Sequence, residues 1–171
     1  MNQFVRKATI EDAALIADIS RQTFYETFAA QNSKADMDKF LNEQFTTAKL
    51  MTEPGQQEND FFLAYADDTL AGYVKLRSGR PPVFLRTKNA LEIARLYAKK
   101  EMIGKGIGKL LMQTSIDAAK ENNKEIIWLG VWEKNQHAID FYTAWGFEKF
   151  DETDFILGND LQRDWLMKKV L

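Results

Sequence analysis

The chain has 171 residues, 45% hydrophobic and 28% charged, with 23 basic against 25 acidic side chains and a net charge of -2. That length can bury one sizeable core, and the charge balance gives no global field to draw the chain to nucleic acid or anionic lipid. The absence of cysteine excludes disulfides, thiolate zinc sites and a cysteine nucleophile, and a lone histidine, His137, argues against a Ser-His-Asp triad or a multi-histidine metal site.

Phe4 to Ala8 reads as a short strand. Thr9-x-x-Asp12 has capping-box spacing, with Asp in the Glu position, ahead of an amphipathic helix. Along it Leu15, Ile16, Ile19, Thr23, Phe24 and Phe28 recur at helical spacing to about Ala30. After the break Gln31-Asn32-Ser33, Ser33 and Asp36 are placed to start a second helix carrying Met37, Phe40, Leu41 and Phe45. Pro54 to Asp60 is a polar loop, Phe61 to Tyr65 a strand, Asp67-Asp68 a hairpin turn and Leu70 to Leu76 the returning strand. An irregular loop containing Pro81-Pro82 precedes a β-rich run, Leu91 to Ala98. The glycine turn Gly104-Lys105-Gly106-Ile107-Gly108-Lys109 opens a helix over Ile107 to Glu121. Ile126 to Trp132 is a strand and Asn135 to Trp145 a short helix ended by Gly146; Phe147–Phe150, Asp154–Gly158 and Asp164–Lys169 are closing strands. No repeat or linker interrupts this order, which predicts one mixed α/β domain over residues 1–171, with a sheet too antiparallel for a Rossmann fold. No apolar run approaches the ~20 residues of a membrane span and the first residues lack a signal-peptide core, so the cytoplasm is the expected address.

The glycine turn carries the strongest chemical signal. Glycines between a strand and a helix let backbone N–H groups approach a phosphate, and the helix start behind them supplies free donors and partial positive charge. A P-loop would need four residues between its first glycine and its Gly-Lys pair, then Ser or Thr. Gly104 and Gly108-Lys109 have three between them, and Leu110 stands where the hydroxyl belongs. A dinucleotide fingerprint would need Gly-x-Gly-x-x-Gly in a parallel unit near the N-terminus, against Gly-x-Gly-x-Gly at mid-chain here. A plain tight turn competes with phosphate binding. The apolar stripe Ile107, Leu110, Leu111, Thr114 and Ala118 begins inside the turn, however, so its N–H groups point along the helix axis, with Lys105 and Lys109 beside them. A phosphorylated cofactor fits this arrangement best.

Four further stretches bear on which cofactor. They are Val5-Arg6-Lys7-Ala8-Thr9 with Glu11-Asp12, Ala71-Gly72-Tyr73-Val74, Asn135-x-x-Ala138-Ile139-x-Phe141-Tyr142, and Gly146-Phe147. With the glycine turn and Leu110-Leu111 they resemble, in order and over nearly the whole chain, the GNAT superfamily of acetyl-coenzyme A-dependent N-acetyltransferases. The resemblance implies a central, mostly antiparallel, splayed sheet of about seven strands flanked by about four helices. It implies acetyl-coenzyme A as co-substrate, with no metal. By that resemblance Leu96, Tyr97 and Ala98 take the pantetheine arm. Lys105, Gly106, Ile107, Gly108 and Lys109 take the pyrophosphate, and Asn135, Ala138 and Phe141 touch the cofactor. Ile103 stands where the family usually carries Gln or Arg, which removes a polar side-chain contact.

Acetylating an amine first requires losing a proton: with a pKa near ~10.4, about one molecule in a few thousand is neutral at pH 7, a cost of roughly 4–5 kcal/mol. Glu92 matches the position of a catalytic glutamate in several GNAT enzymes, against the plainer reading of a solvated carboxylate. Ala94 occupies the place of a second glutamate. Tyr142 matches the family's general acid for the leaving thiolate, against a core tyrosine at a helix–strand corner. The Leu96 N–H would polarise the thioester carbonyl as an oxyanion hole does. His137 is expected at the surface, and Trp132, beside Gly130-Val131, reads as core by alternation, with a wall of the acceptor cleft as the alternative. Thr23-Phe24-Tyr25-Glu26-Thr27-Phe28 with Gln31-Asn32-Ser33, and Ile127 through Asn135, are similar to the PaiA-type branch, which implies a polyamine acceptor, spermidine or spermine. Glu26, Asp36, Asp38 and Glu133 would then hold ammonium groups, against a solvated acidic face. Other amines, a non-catalytic coenzyme A-binding role, and a homodimer remain open at this level.

Overall fold

The chain forms seven strands, β1 (Gln3–Lys7), β2 (Asn59–Ala66), β3 (Thr69–Arg77), β4 (Ala90–Ala98), β5 (Ile126–Trp132), β6 (Glu148–Leu157) and β7 (Asp160–Val170), with β3 and β5 buried almost throughout. In the computed structural model, which describes residues 1–171, they form one sheet in the order β1-β2-β3-β4-β5-β7-β6. Five of the six neighbouring pairs are antiparallel. Only β4 and β5 run parallel, because a crossing helix, α4 (Ile107–Glu121), connects them.

Five helices flank the sheet rather than four: α1 (Ala13–Phe28), α2 (Lys34–Lys39), α3 (Thr47–Met51), α4 and α5 (Gln136–Ala144). The Thr9–Asp12 capping box forms, but it starts one 3₁₀ turn, Ile10–Asp12, before α1 begins. Ser33 Oγ accepts the Asp36 N–H at 3.1 Å and starts α2 as expected. The single helix expected to carry Phe40 and Phe45 instead passes through a π turn, Phe40–Gln44, in which the Phe45 N–H reaches the Phe40 carbonyl at 2.9 Å. The extra residue in that turn sets both rings against Phe24, at 4.3 and 5.3 Å between centroids. The helix α3 that follows carries too few apolar positions to announce itself.

The expected closing strands Phe147–Phe150 and Asp154–Gly158 are one strand, β6, with a register shift between Lys149 and Asp151. Asp151-Glu152-Thr153 looks like a turn in sequence. On an outer strand it is tolerated because Glu152 pairs with Lys149 at 2.6 Å and Arg163 at 3.1 Å.

Two layers of core hold the sheet. Leu111, Met112 and Ile116 of α4 pack on one face against Val74, Ile93, Ile127 and Leu129. Ile16 and Ile19 of α1 pack on the other against Leu63, Leu70 and Tyr73. Gly72 sets how closely α4 approaches: a Cβ there would stand 2.6 Å from the Tyr97 carbonyl oxygen and 2.8 Å from Ile107 Cγ2. No helix is long and apolar enough to cross a membrane.

The feature that positions the site lies at the middle of the sheet. The partner of β3 jumps from Arg95 to Ile93 between Lys75 and Leu76, so Ala94 is an unpaired bulge residue. The pairing of β4 with β5 stops at Ile93–Leu129, and from there the two strands diverge. Beyond the bulge the edge of β4 that faces β5 has no strand partner, which is the splay expected from the motif set.

Candidate active site

A cleft of about 740 Å³ fills the gap between β4 and β5 and runs from the glycine turn to the underside of α1. At its α4 end the main chain dominates. Gly106 precedes α4 with φ 91°, a left-handed conformation that glycine adopts without strain, and no side chain caps the helix. The first N–H groups of a helix have no intrahelical acceptor, so those of Ile107, Gly108 and Lys109 face outward as an anion cradle, with the Lys109 side chain nearby. Leu96, Tyr97 and Ala98 line the same cleft, as do Gly108, Asn135, Ala138 and Phe141.

Three of the expected positions differ in detail. The Lys105 N–H is occupied by the Met102 carbonyl at 3.2 Å, and its own carbonyl accepts from Gln3 Nε2 at 2.7 Å, so the residue lies outside the cleft lining. Ile107 offers only its main chain, since its side chain is buried in the core. His137 is exposed, as expected, yet stands at the cleft rim. Asn135 does what its helix-start position predicts: Oδ1 accepts the Ala138 N–H at 3.3 Å.

At the other end side chains dominate. Phe24, Phe28, Phe40 and Phe45 come down from the helical cover. Trp132 is buried, as alternation suggests, and its cleft-lining side meets Phe28 edge-on at 6.0 Å. The acidic residues considered for ammonium groups are elsewhere. Glu26 accepts the Lys100 N–H at 3.3 Å, Asp36 serves the α2 start and the Asn159 N–H, Asp38 pairs with Lys34, and Glu133 is exposed. None of the four lines the cleft.

Tyr142 sits where the two ends meet, buried against Phe141 and Phe147, and burial pushes its hydroxyl up to about 12. It therefore holds its proton at neutral pH. Glu92 is not brought to the cleft. Its carboxylate forms a two-pronged ion pair with Arg77, at 2.9 Å to Nε and 2.7 Å to Nη2. Those bonds engage both oxygens and hold the carboxylate in the ion pair, outside the cleft lining.

The cleft has one carboxylate, Asp164, which the sequence reading missed. It stands on β7 directly opposite Trp132 of β5, and opposed residues share a face of the sheet. Burial pushes it up to about 6, with the charge of Glu133 adding to the effect. A carboxylate of that basicity, facing a cavity, is suited to take a proton from an ammonium. Only the pairing of β5 with β7 reveals it, and that pairing joins residues about thirty apart in sequence. Lys75 and Arg95, a cross-strand pair, also line this end and were likewise missed.

Splayed sheet, uncapped glycine start and a single cleft joining them to a buried tyrosine together define an acyl-transfer architecture. A family model described as the acetyltransferase (GNAT) family matches residues 18–147, and the chain belongs to that family. It is 39% identical over 153 residues to an uncharacterised N-acetyltransferase from the pepI 3′ region of Lactobacillus delbrueckii subsp. lactis, covering 90% of this chain and 88% of that one. It is 29% identical over 159 residues to a spermidine N(1)-acetyltransferase of Thermoplasma acidophilum, covering 90% and 94%. The crystal structure of the PaiA N-acetyltransferase from Thermoplasma acidophilum in complex with coenzyme A is similar over 100% of both chains, with a TM-score of 0.81 at 27% identity.

Proposed function

We propose that residues 1–171 act as one N-acetyltransferase domain that moves an acetyl group from acetyl-coenzyme A to a primary amine, directly, in a ternary complex. The observation that carries this reading is the continuity of the cleft: phosphate-type donors, a free strand edge, a protonated tyrosine and a basic carboxylate line one cavity. The donor fits this chain. Amides from Gly106 to Lys109 suit a diphosphate, and the open edge of β4 at Leu96 and Ala98 suits an arm bearing amides, which pairs as an added strand would.

Asp164 takes the proton of the incoming ammonium, directly or through water. The amine nitrogen then forms its bond to the acetyl carbon as the C–S bond breaks, and the Leu96 N–H stabilises the carbonyl oxygen. Tyr142 gives its proton to the leaving sulfur, and the second proton shed by the acylated nitrogen passes through water to restore the phenol, leaving a neutral amide, a free thiol and protonated Asp164. Proton transfer from a phenol near 12 to a thiolate near ~8.5 is uphill by about 5 kcal/mol if only the phenol is perturbed. The same apolar surroundings desolvate the thiolate and raise it too, which narrows the gap. The chain has no cysteine, and the direct route needs no acyl-enzyme.

For the acceptor, similarity to the spermidine N(1)-acetyltransferase supports a polyamine. The charge of the cleft lining, with Lys75, Arg77 and Arg95 against Asp164, favours a second reading, an amine with an anionic tail. A panel of amines assayed by free-thiol release tests the function. Acetylation of at least one primary amine, slowed strongly by Tyr142→Phe, is the expected result; coenzyme A binding without transfer to any amine would overturn it.

A further inference from the structure

The acceptor end of the cleft continues into an annex of about 290 Å³ beneath α3, and the two share Gln44, Phe45, Lys75, Arg77 and Arg95. Charges in this region do not balance. Arg77 is neutralised by Glu92. Lys75 and Arg95, both largely buried, share a single carboxylate: Glu53 takes Arg95 Nη2 on both oxygens, at 2.9 and 2.7 Å, and also pairs with Lys75. One positive charge is left over in a site poorly reached by water. Lys49 adds a cation at the annex wall, whereas Arg80 there pairs with Glu58 at 3.6 Å, and Glu53 is the only acid of the lining.

A second observation says where the missing partner belongs. Arg95 lines both the cleft and the annex, and its Nη1, buried beside the equally unpaired Tyr73 hydroxyl, has no acceptor of good geometry. Two buried cations sharing one carboxylate, with a donor left over, are costly unless a second anion comes to them. Glu53 holds Nη2 and Nη1 lies in the interior, so an anion would meet the pair where Arg95 and Lys75 line the cleft. Across the gap between β4 and β5 stands Asp164, which would attract an ammonium.

The geometry points to an anion-binding subsite: Arg95 and Lys75 hold a carboxylate-like tail of the acceptor, whose amine is presented toward Asp164. The acceptor is then a zwitterion of the amino-acid type rather than a polycation. This rests on the acetyl-transfer reading above and names the substrate class for it. A polyamine would set an ammonium against the unpaired positive charge.

The test uses matched three- to six-carbon primary amines whose far end is a methyl, an ammonium or a carboxylate, together with spermidine, under saturating acetyl-coenzyme A. The carboxylate compound of the best length is expected to exceed its methyl counterpart in kcat/KM by about tenfold or more, with the diamines and spermidine below both. Arg95→Gln is expected to bring the carboxylate-to-methyl ratio toward one. Glutarate, which has no amine, is expected to bind the wild-type protein by calorimetry and to compete with the amine but not with acetyl-coenzyme A; this arm holds even if the variant does not fold. Preference for diamines or spermidine at every length, or no glutarate binding, would overturn the subsite while leaving acetyl transfer intact. Transfer to no amine at all would instead overturn the enzymatic reading, and glutarate binding would then still support the subsite.

Discussion

In the half of the cleft nearest α4, recognition falls to main-chain groups: Gly106 at φ 91°, the amides that follow it, and the free edge of β4. In the half beneath α1 it falls to side chains: the phenylalanines, Trp132, Arg95 and Asp164. Main-chain donors do not titrate and are removed by no substitution except proline, so the first half is fixed by topology and a few glycines. The second half can be retuned one side chain at a time, and in the reading proposed above its charge pattern sets the acceptor. One cofactor and many acceptors is the division of labour this construction permits.

Four measurements bear on that division, the largest effect first. Tyr142→Phe, at the junction, is expected to lower kcat by about 10²–10³-fold with the KM for acetyl-coenzyme A within about twofold, since only proton donation is removed. An unchanged kcat in steady-state kinetics would return Tyr142 to a packing role.

In the side-chain half, kcat/KM of the wild type for the amine is expected to fall as pH drops below about 6, where Asp164 becomes protonated. Asp164→Asn should erase that acid limb and cost about 10–10²-fold. The same substitution should stabilise the fold. A carboxyl raised from 3.8 to about 6 binds its proton more tightly when folded, so its stabilising effect is fully present below pH 3.8 and lost as pH rises to 6. The shift corresponds to at most about 3 kcal/mol, and about 1–2 after solvent screening at a partly open site. A urea melt at pH 7 showing the variant less stable than wild type would contradict this.

In the main-chain half, Gly106→Ala places a Cβ on a residue at φ 91°, a strain of about 1–2 kcal/mol. Coenzyme A is expected to bind about tenfold more weakly by calorimetry, and the order of preference among amines should not change. A shifted amine preference would mean the two halves are not independent.

Glu92→Gln should have the smallest kinetic effect, with kcat within about threefold. It strips the Arg77 ion pair, whose partners are mostly buried, and should lower stability by about 2 kcal/mol in denaturant unfolding. A loss of the acid limb in this variant would make Glu92, not Asp164, the base.

The main-chain half was legible in the sequence because its determinants are local: glycines at fixed offsets, a strand before them and a periodic helix behind. The boundaries of α4 and β5 follow from periodicity, and Asn135 caps the short helix on which Tyr142 sits, a helix whose register is clear. The side-chain half was not, because its members meet only through pairing. Asp164 depends on β5 meeting β7, Arg95 on its rung with Lys75, and the phenylalanine cover on a π turn that no periodicity announces. Glu92 misled for the same reason: its place on β4 was right, but its partner, Arg77, lies fifteen residues away on β3.

The seam between β4 and β5 interrupts the one ladder that otherwise runs across all seven strands. A donor arm lying in that seam would act as a missing rung, stitching the halves of the sheet into a continuous lattice. Deuterium uptake at Leu96 and Ala98 would then slow on loading, and the stiffness of the molecule would report how much acyl donor surrounds it.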